Sequence, residues 1–456
     1  MNSSWFKLMV VADQSVLGQN TTAMSEFRDS VEAAGGIWFN EQGIPNAESI
    51  KNLAPGSHVF FLGNDSQPET NLFEKLAWAA ANKPLAQVCY GNVQLPEGPH
   101  GLPEWSPLLI QQVNYIGDSF LIRSSWLLSL LEAGVCGEPW DLLRATQRFA
   151  GRVARIPETW LAELALAWYP LSQDRVSSLK SLAAAKGPAL SRQLITLTAG
   201  AKFPSDETIP KDKHGKTFIS AHLEATRTAS TLEHLVLIGS ECSEQALDDI
   251  KRQEHARVIT TDEPFNYSSR NNLGRQNSQA DVLVFVNDDF IPTQDDWLDR
   301  LLAPFADPAV GVTGCTLLYP DGSIQHASHR VESWRIEHDG LGLRPGQPRF
   351  DSLTAVDREV DGVTGACLAI RASVFDEVGG FYEGFPLSFN DLDLCLKARA
   401  LGYRVVNVGK PLGIHYESQT RVAVTLPEEL ATFLARWPHL PQVSDHNFGL
   451  DATKDS

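Results

Sequence analysis

The chain has 456 residues, 43% hydrophobic and 21% charged, with a formal net charge of −18 at pH 7. That is an ordinary globular composition, and at about 150 residues per domain it predicts two or three domains with cores that need no staples. The negative balance opposes adhesion to nucleic acid or anionic lipid, which would need a local basic patch to overcome long-range repulsion. No run approaches the roughly 20 apolar residues of a membrane span, and the N-terminus lacks a basic region followed by a long apolar core, so a soluble cytoplasmic chain is expected. Six scattered cysteines (Cys89, Cys136, Cys242, Cys315, Cys367, Cys395) without a Cys-x-x-Cys pair predict reduced thiols rather than a disulfide framework or a zinc site.

Along the chain, apolar runs of strand length (His58–Gly63, Leu235–Ile238, Val282–Val286) alternate with helical patterns (Glu26–Ala34, Leu72–Ala81, Trp297–Phe305). That alternation predicts an α/β architecture with a mostly parallel central sheet flanked by helices. Residues 171–215 change character, with a weakly amphipathic stretch, Val176–Ala185, and a polar, Pro-bearing one, Pro204–His214. They read as a helical segment and interdomain linker between a first domain, 1–170, and a second, 216–440, with a frayed tail over 441–456.

The halves echo each other. His58-Val-Phe-Phe-Leu-Gly-Asn-Asp-Ser-Gln-Pro68 parallels Val282-Leu-Val-Phe-Val-Asn-Asp-Asp-Phe-Ile-Pro292, and Asn114–Ser125 resembles Val363–Ser373. Two matches in one order predict a duplicated domain whose first copy has drifted, with chance similarity between two α/β domains as the rival.

Four segments of the second half carry chemistry. Asp281-Val-Leu-Val-Phe-Val-Asn-Asp-Asp289 is a buried-strand pattern ending in two carboxylates, placed where open α/β sheets bind ligands; a strand-stopping Asn/Asp turn is the plain alternative. Pro264–Gly274 places Asn side chains and a Gly just before that strand, as a helix start also would. Ser388-Phe-Asn-Asp-Leu-Asp-Leu-Cys395 opens a helix whose dipole Asp391 and Asp393 favour, with Asn390 available as a cap; in a cleft, Asp391 is also suited to take a proton from a hydroxyl. Ile414-His-Tyr-Glu-Ser-Gln-Thr-Arg421 follows the strand pattern Arg404–Val408 and offers one imidazole for a metal and one guanidinium for a phosphate.

In this order the segments resemble the family-2 glycosyltransferases of the GT-A fold (the nucleotide-diphospho-sugar transferase fold), and among them the enzymes of O-antigen and related polysaccharide assembly. The resemblance runs from about Leu235 to Arg421. It is carried by Pro264-Phe-Asn-Tyr267, Asn271-Asn-Leu-Gly274, Phe285-Val-Asn-Asp-Asp289, Leu318-Tyr-Pro-Asp-Gly-Ser-Ile-Gln-His326, Val363-Thr-Gly-Ala-Cys367, Val378-Gly-Gly-Phe381, Phe389–Cys395 and His415–Arg421. It implies an inverting sugar transfer from a nucleotide-sugar donor to a glycan, lipid-linked or protein acceptor, dependent on Mn²⁺ or Mg²⁺, with peripheral association to a membrane biosynthetic complex. Asp391 is then the catalytic base; Asp289, Asp288 and His415 are metal ligands; Asn272, Asn287 and Arg421 are donor-side residues; and Gly365, Asn390 and Asp393 lie on the acceptor side. The first half is implied to be a second, eroded GT-A copy, with Asn64-Asp65-Ser66 replacing the metal motif. The match departs at the start of the domain: Lys216–Arg227 gives a foreshortened opening, Gly239 or Ser240 stands where an Asp reads the nucleotide, Asn287 replaces the first Asp of the metal motif, Asn390 a common Glu, and Tyr416 a second frequent His. Those losses leave a second reading, a catalytically impaired copy acting as a glycan-binding or scaffolding partner of an active transferase.

Overall fold

The computed structural model describes residues 6–12, 21–39, 43–64, 66–95, 98–100, 105–112, 114–149, 151–163, 190–197, 218–227, 234–239, 244–332, 335–345, 356–416 and 426–438. Val176–Ala185, Pro204–His214, Asp65, Ser240, Cys242, Arg421 and residues 441–456 lie outside them. The chain divides near residue 171 into two compact units. Among the described residues no helix is long and apolar enough to cross a membrane.

The first unit holds strands β1 (Leu8–Ala12), β2 (Ile37–Phe39), β3 (His58–Leu62), β4 (Ser66–Pro68), β5 (Val88–Leu95), β6 (Gly98–His100), β7 (Phe120–Arg123) and β8 (Val153–Glu163). They form one sheet in the order β2-β1-β3-β7-β5-β8-β4, with β6 on β5. β1 and β3 are buried throughout, as their apolar, β-branched and aromatic sequences LMVVA and HVFFL require. The helix Thr22–Ala33 begins where Thr21 Oγ1 accepts the Met24 N–H at 3.2 Å, a side-chain cap.

In the second unit β9 (Arg192–Leu197), β10 (His234–Gly239), β11 (Ala256–Thr261), β12 (Val282–Asn287), β13 (Phe290–Pro292), β14 (Val310–Leu318), β15 (Ile324–His326), β16 (His329–Glu332), β17 (Arg335–His338), β18 (Arg358–Glu359), β19 (Cys367–Arg371) and β20 (Arg404–His415) follow. The sheet runs β11-β10-β9-β12-β19-β14-β20-β13, with β15 on β14 and β18 on β20, while β16 and β17 make a separate hairpin.

One expectation is corrected here. Along the sheet β11, β10, β9 and β12 are parallel, as are β14 and β20, while β19 is antiparallel to both β12 and β14, and β13 to β20. The stretch assigned to a linker contains β9, a central strand hydrogen-bonded to β10 and β12 on its two sides. Lys216–Arg227 is therefore not the opening strand of this unit; it holds the helix Phe218–Ala225 that follows β9. β9 escaped notice because Arg192-Gln-Leu-Ile-Thr-Leu197 offers only a four-residue strand-forming core inside an Ala-rich and polar stretch.

The duplication is visible as topology. β1, β2, β3, β4, β5, β7 and β8 have the same chain order and sheet neighbours as β9, β10, β12, β13, β14, β19 and β20. Even the irregularity recurs: β5–β8 shifts register at Gly91/Asn92 and β14–β20 at Cys315/Thr316. Among the described residues, the second unit adds the edge strand β11 and the helix Tyr267–Gln276. That helix seats through Gly274, where a Cβ would lie 2.7 Å from Ile195 Cγ2 of β9. Beneath it Phe285, Phe375 and Phe381 pack at centroid distances of 5.1–5.5 Å. Burying each such ring contributes about 2 kcal/mol.

The helix predicted over Trp297–Phe305 stops at Leu302 and continues as a 3₁₀ turn, Ala303–Ala306, because Pro304 has no N–H to donate. Cys89, Cys136, Cys315, Cys367 and Cys395 are free thiols.

Candidate functional site

β12 delivers Asn287 to its carboxyl end, and Asp288 and Asp289, both buried, form the turn into β13. The register of β13 on β20 pairs Phe290 with His415, which brings the imidazole beside the acids. His415 Nε2 lies 3.1 Å from Asp289 Oδ1 and 3.2 Å from Asn287 Nδ2. On the far side of the ring, Nδ1 faces Gln325 Oε1 of β15 at 2.7 Å.

An amide oxygen only accepts, so Nδ1 carries the proton and donates to Gln325, which leaves a lone pair on Nε2 of the neutral ring. That lone pair is directed at a buried carboxylate, with the Asn287 amide as a donor beside it. Two electron-rich atoms 3.1 Å apart call for a cation between them, a proton or a metal. A far-side N–H held by an acceptor is the arrangement that orients metal-bound histidines. The residues present therefore fit a divalent ion held by Asp289 and His415. Burial pushes the Asp289 carboxyl up, but with a proton in that place the His415 imidazolium more than offsets this and holds it below its usual range.

The floor beneath β13 is a buried polar network. His222 Nδ1 donates to the Phe290 carbonyl at 2.6 Å, and its Nε2 meets Thr196 Oγ1 of β9 at 2.9 Å. Thr196 Oγ1 also contacts His234 of β10. Thr196, through His222, thus ties the opening strand to the turn that carries Asp289.

Asp391 reaches the same region by another route. Its Oδ2 accepts the Gly365 N–H at 2.8 Å, and its Oδ1 accepts the Leu392 N–H at 2.8 Å. The carbonyl of the next residue, Ala366, accepts the Asn287 N–H at 3.1 Å, so the Asp391 cradle and the end of β12 are hydrogen-bonded neighbours. Burial raises the Asp391 carboxyl, but the nearby His329 ring and the two backbone donors pull it down to about 2. Gly365 is required by close approach, because a Cβ there would sit 2.4 Å from Tyr267 Oη and 3.5 Å from Asp391 Cβ. Tyr267 Oη in turn donates to the Gly365 carbonyl at 2.9 Å.

Asn390 is buried, and its Oδ1 accepts the Asp391 N–H at 2.8 Å. It is not the cap of its helix: that place belongs to Phe389, held at φ 62, a conformation that costs a non-glycine residue about 1–3 kcal/mol. Phe389 is kept there by its ring stacked on Phe433 at 4.9 Å and by Glu429 Oε1, which accepts the Leu387 and Ser388 N–H groups at 2.8 and 3.0 Å.

Two residues expected in the site are elsewhere. Asp393, assigned to the acceptor side, is fully buried and bound by Arg436 Nε at 3.0 Å and Trp437 Nε1 at 3.0 Å, with Lys397 at 3.6 Å. It fastens the helix Pro427–Arg436 to the helix Asn390–Ala400. Asn272, assigned to the donor side, clamps a turn: its Oδ1 accepts the Phe381 N–H at 2.9 Å and its Nδ2 donates to Phe381 O and Glu383 Oε1, both at 3.0 Å. Asn271 and Asn272 are adjacent in sequence, which carries no sign of where each side chain goes; helix phase sends Asn271 back to Tyr267 O and Asn272 to Phe381. Arg421 lies outside the described residues. Gln325 and His329 were not singled out; the signal available was the spacing His326, His329, His338, three of the chain's 12 histidines within one short segment.

Residues 220–437 match the family model described as glycosyltransferase like family 2. The second unit therefore carries a domain of glycosyltransferase family 2. Over longer stretches the chain is 28% identical to the uncharacterized protein y4gI of Sinorhizobium fredii, covering 85% of this chain and 47% of that protein. It is 26% identical to the O-antigen biosynthesis protein RfbC of Myxococcus xanthus, covering 82% of this chain and 32% of that protein. The rhamnosyltransferase WbbL of Escherichia coli is 28% identical over 30% of this chain and 52% of its own. The chain thus spans half or less of the length of its two longer-matching relatives. The solved structure of GalNAc-T7 with UDP, GalNAc and Mn²⁺ covers 50% of this chain and 44% of its own at 13% identity and a TM-score of 0.37, a likeness too slight to bear on the site.

Proposed function

We propose that the second unit transfers a sugar, with inversion, from a nucleotide-sugar donor to a hydroxyl of a glycan, lipid-linked or protein acceptor during assembly of a surface polysaccharide. The observation that carries this is the hydrogen-bonded join between the Asn287–Asp289–His415 constellation and the Asp391 cradle at Gly365. Asp391 takes the proton of the acceptor hydroxyl as that oxygen attacks the anomeric carbon from the face opposite the leaving diphosphate. Asp289 and His415 would hold Mn²⁺ or Mg²⁺, which would neutralise charge on the leaving diphosphate. Asp288 stands beside Asp289 in the same turn, and Asn287 steadies the His415 ring. The names of the relatives RfbC and WbbL support a role in polysaccharide assembly, and the work belongs on the cytoplasmic face of a membrane biosynthetic complex.

One feature favours the non-catalytic reading: β10 ends at Gly239, where the family resemblance expects an acid for the nucleotide. A thermal-shift screen separates the two. With Mn²⁺ present, a nucleotide sugar at 100 times its dissociation constant stabilises the chain by about 2.7 kcal/mol. No shift with any of UDP-, GDP- or dTDP-sugars at any Mn²⁺ concentration contradicts the transfer reading.

A further inference from the structure

Three imidazoles crowd beside Asp391 and have no part in the chemistry above. His326 of β15, His329 of β16 and His338 of β17 bring ring nitrogens within 4.8 Å of one another, and His326 and His329 are buried. On distance alone this is a set of metal ligands. Hydrogen bonding removes that option. The Thr364 N–H donates to His326 Nε2 at 3.1 Å, so the neutral ring carries its proton on Nδ1, which faces His338 Nδ1 at 3.0 Å. A metal-bound histidine shows the opposite pattern, its far nitrogen donating rather than accepting. His326 therefore has no lone pair to give, and His338 Nδ1 is occupied as its acceptor. Burial keeps both rings neutral: it drives His326 well below the ordinary histidine value and His338 down to about 4.

His329 differs from both. Neither of its buried ring nitrogens makes an ordinary hydrogen bond. Its backbone N–H is anchored on Gly362 O at 2.8 Å, and its ring is wedged edge-on against His326 and His338 at 4.9 and 4.8 Å. Gly362 admits the ring, since a Cβ there would lie 3.3 Å from His329 Cδ2. Nε2 points to Asp391 Oδ2 at 3.5 Å. The charged and titratable groups around it are Asp391 from the helix Asn390–Ala400, His326 and His338 from the two flanking strands, and the buried Arg358–Asp339 pair behind Ser328.

We propose that Asp391 and His329 work as a pair, His329 positioning the carboxylate and taking over the proton that Asp391 removes from the acceptor hydroxyl. This deepens, and rests on, the transfer reading. In the step the acceptor O–H bond breaks and its proton goes to Asp391; the freed electron pair forms the bond to the anomeric carbon; the bond from that carbon to the diphosphate oxygen breaks, its electrons leaving on the diphosphate. The proton then passes from Asp391 to His329 Nε2, and the carboxylate is restored. A carboxylate is a weak base toward a sugar hydroxyl, and the His329 Nε2 3.5 Å from Asp391 Oδ2 offers a second atom to which the proton can pass.

Two measurements on the full 456-residue chain test the pair. In ¹⁵N-histidine NMR titrations, with the His329 signal identified by its loss in His329→Gln, Asp391→Asn lowers the His329 midpoint by about one pH unit or more, the effect of removing an opposite charge in contact. In Mn²⁺-dependent nucleoside diphosphate release from UDP-glucose, UDP-N-acetylglucosamine, GDP-mannose and dTDP-rhamnose, His329→Gln lowers kcat by about tenfold or more, leaves the donor KM within about twofold, and changes the pH profile of kcat. His329→Asn repeats both arms should the Gln variant melt early. A midpoint indifferent to Asp391→Asn, or a folded His329 variant with full kcat and an unchanged profile, overturns the pair. A chain that turns over no donor yet shows the coupled midpoint retires the transfer reading and, with it, the proton relay, and leaves only the charge contact between Asp391 and His329.

Discussion

At the scale of single residues the site is specified by what each side chain does with its second partner. His415 is oriented by Gln325 on its far nitrogen, and Asp391 by the Gly365 N–H. Gln325→Leu should therefore weaken Mn²⁺ binding by about tenfold, the range seen when an outer partner of a metal ligand is lost, without unfolding the chain; isothermal titration with Mn²⁺ reads it, and unchanged affinity refutes the tautomer assigned to His415. Gly365→Ala pushes its methyl into Tyr267 Oη and disturbs the Asp391 cradle, so kcat should fall by roughly tenfold or more while the melting temperature moves little. The acids at the end of β12, His415 and Asp391 stand out in sequence because strand, helix and residue type coincide there, and the structure brings Asp289 and His415 to 3.1 Å. Asn272 and Asp393 were misplaced because sequence gives a residue's neighbours along the chain, and only helix phase shows that one clamps Phe381 and the other binds Arg436.

At the scale of elements, the helix Pro427–Arg436 is a strut for Asp391. It supplies Phe433 and Glu429 to hold the left-handed Phe389, and Arg436 to hold Asp393. Phe433→Ala should cost about 3 kcal/mol in chemical denaturation and lower kcat in the molecules that remain folded, because Phe389 loses the ring that fixes its φ. Asp393→Asn should cost about 2 kcal/mol or more by stripping a buried charge pair whose arginine is partly exposed, while donor and acceptor KM stay unchanged; a shifted acceptor KM with unaltered stability would return Asp393 to the site. β9 marks where element-level reading failed. Its short Leu-Ile-Thr-Leu core has the right residues but too few to outweigh its surroundings, and its identity as a strand comes from partners, β10 and β12, that lie 40 and 90 residues away in the register pairs His234↔Leu194 and Val284↔Leu194.

Across the whole molecule, two units repeat one sheet order, and the sequence echo between His58–Pro68 and Val282–Pro292 falls on strands with corresponding neighbours, β3 and β12. What could not be read was the edge: among the described residues, β11 and the helix after it belong to the second unit alone. Both units also share an acid weakness. Burial holds His58 and His222 at about 4, against 6.5 for the free side chain, with Arg123 adding to the effect at His58. Between those values the unfolded chain binds protons that the folded chain excludes, so stability rises with pH there and is lost as pH falls from 6.5 toward 4. Melting temperature should drop across that window, and His58→Gln and His222→Gln should each flatten the drop; an unchanged slope in both contradicts the burial account.

The most direct test is Mn²⁺-dependent release of nucleoside diphosphate from a sugar nucleotide by the wild-type chain, Asp289→Ala, His415→Ala and Asp391→Asn, compared at equal folded concentration. Loss of Mn²⁺ dependence or saturation in the first two variants, and a fall of roughly 100-fold or more in kcat with Mn²⁺ affinity intact in the third, is the predicted result. Release that survives Asp391→Asn undiminished, or Mn²⁺ affinity indifferent to both Asp289→Ala and His415→Ala, would contradict it.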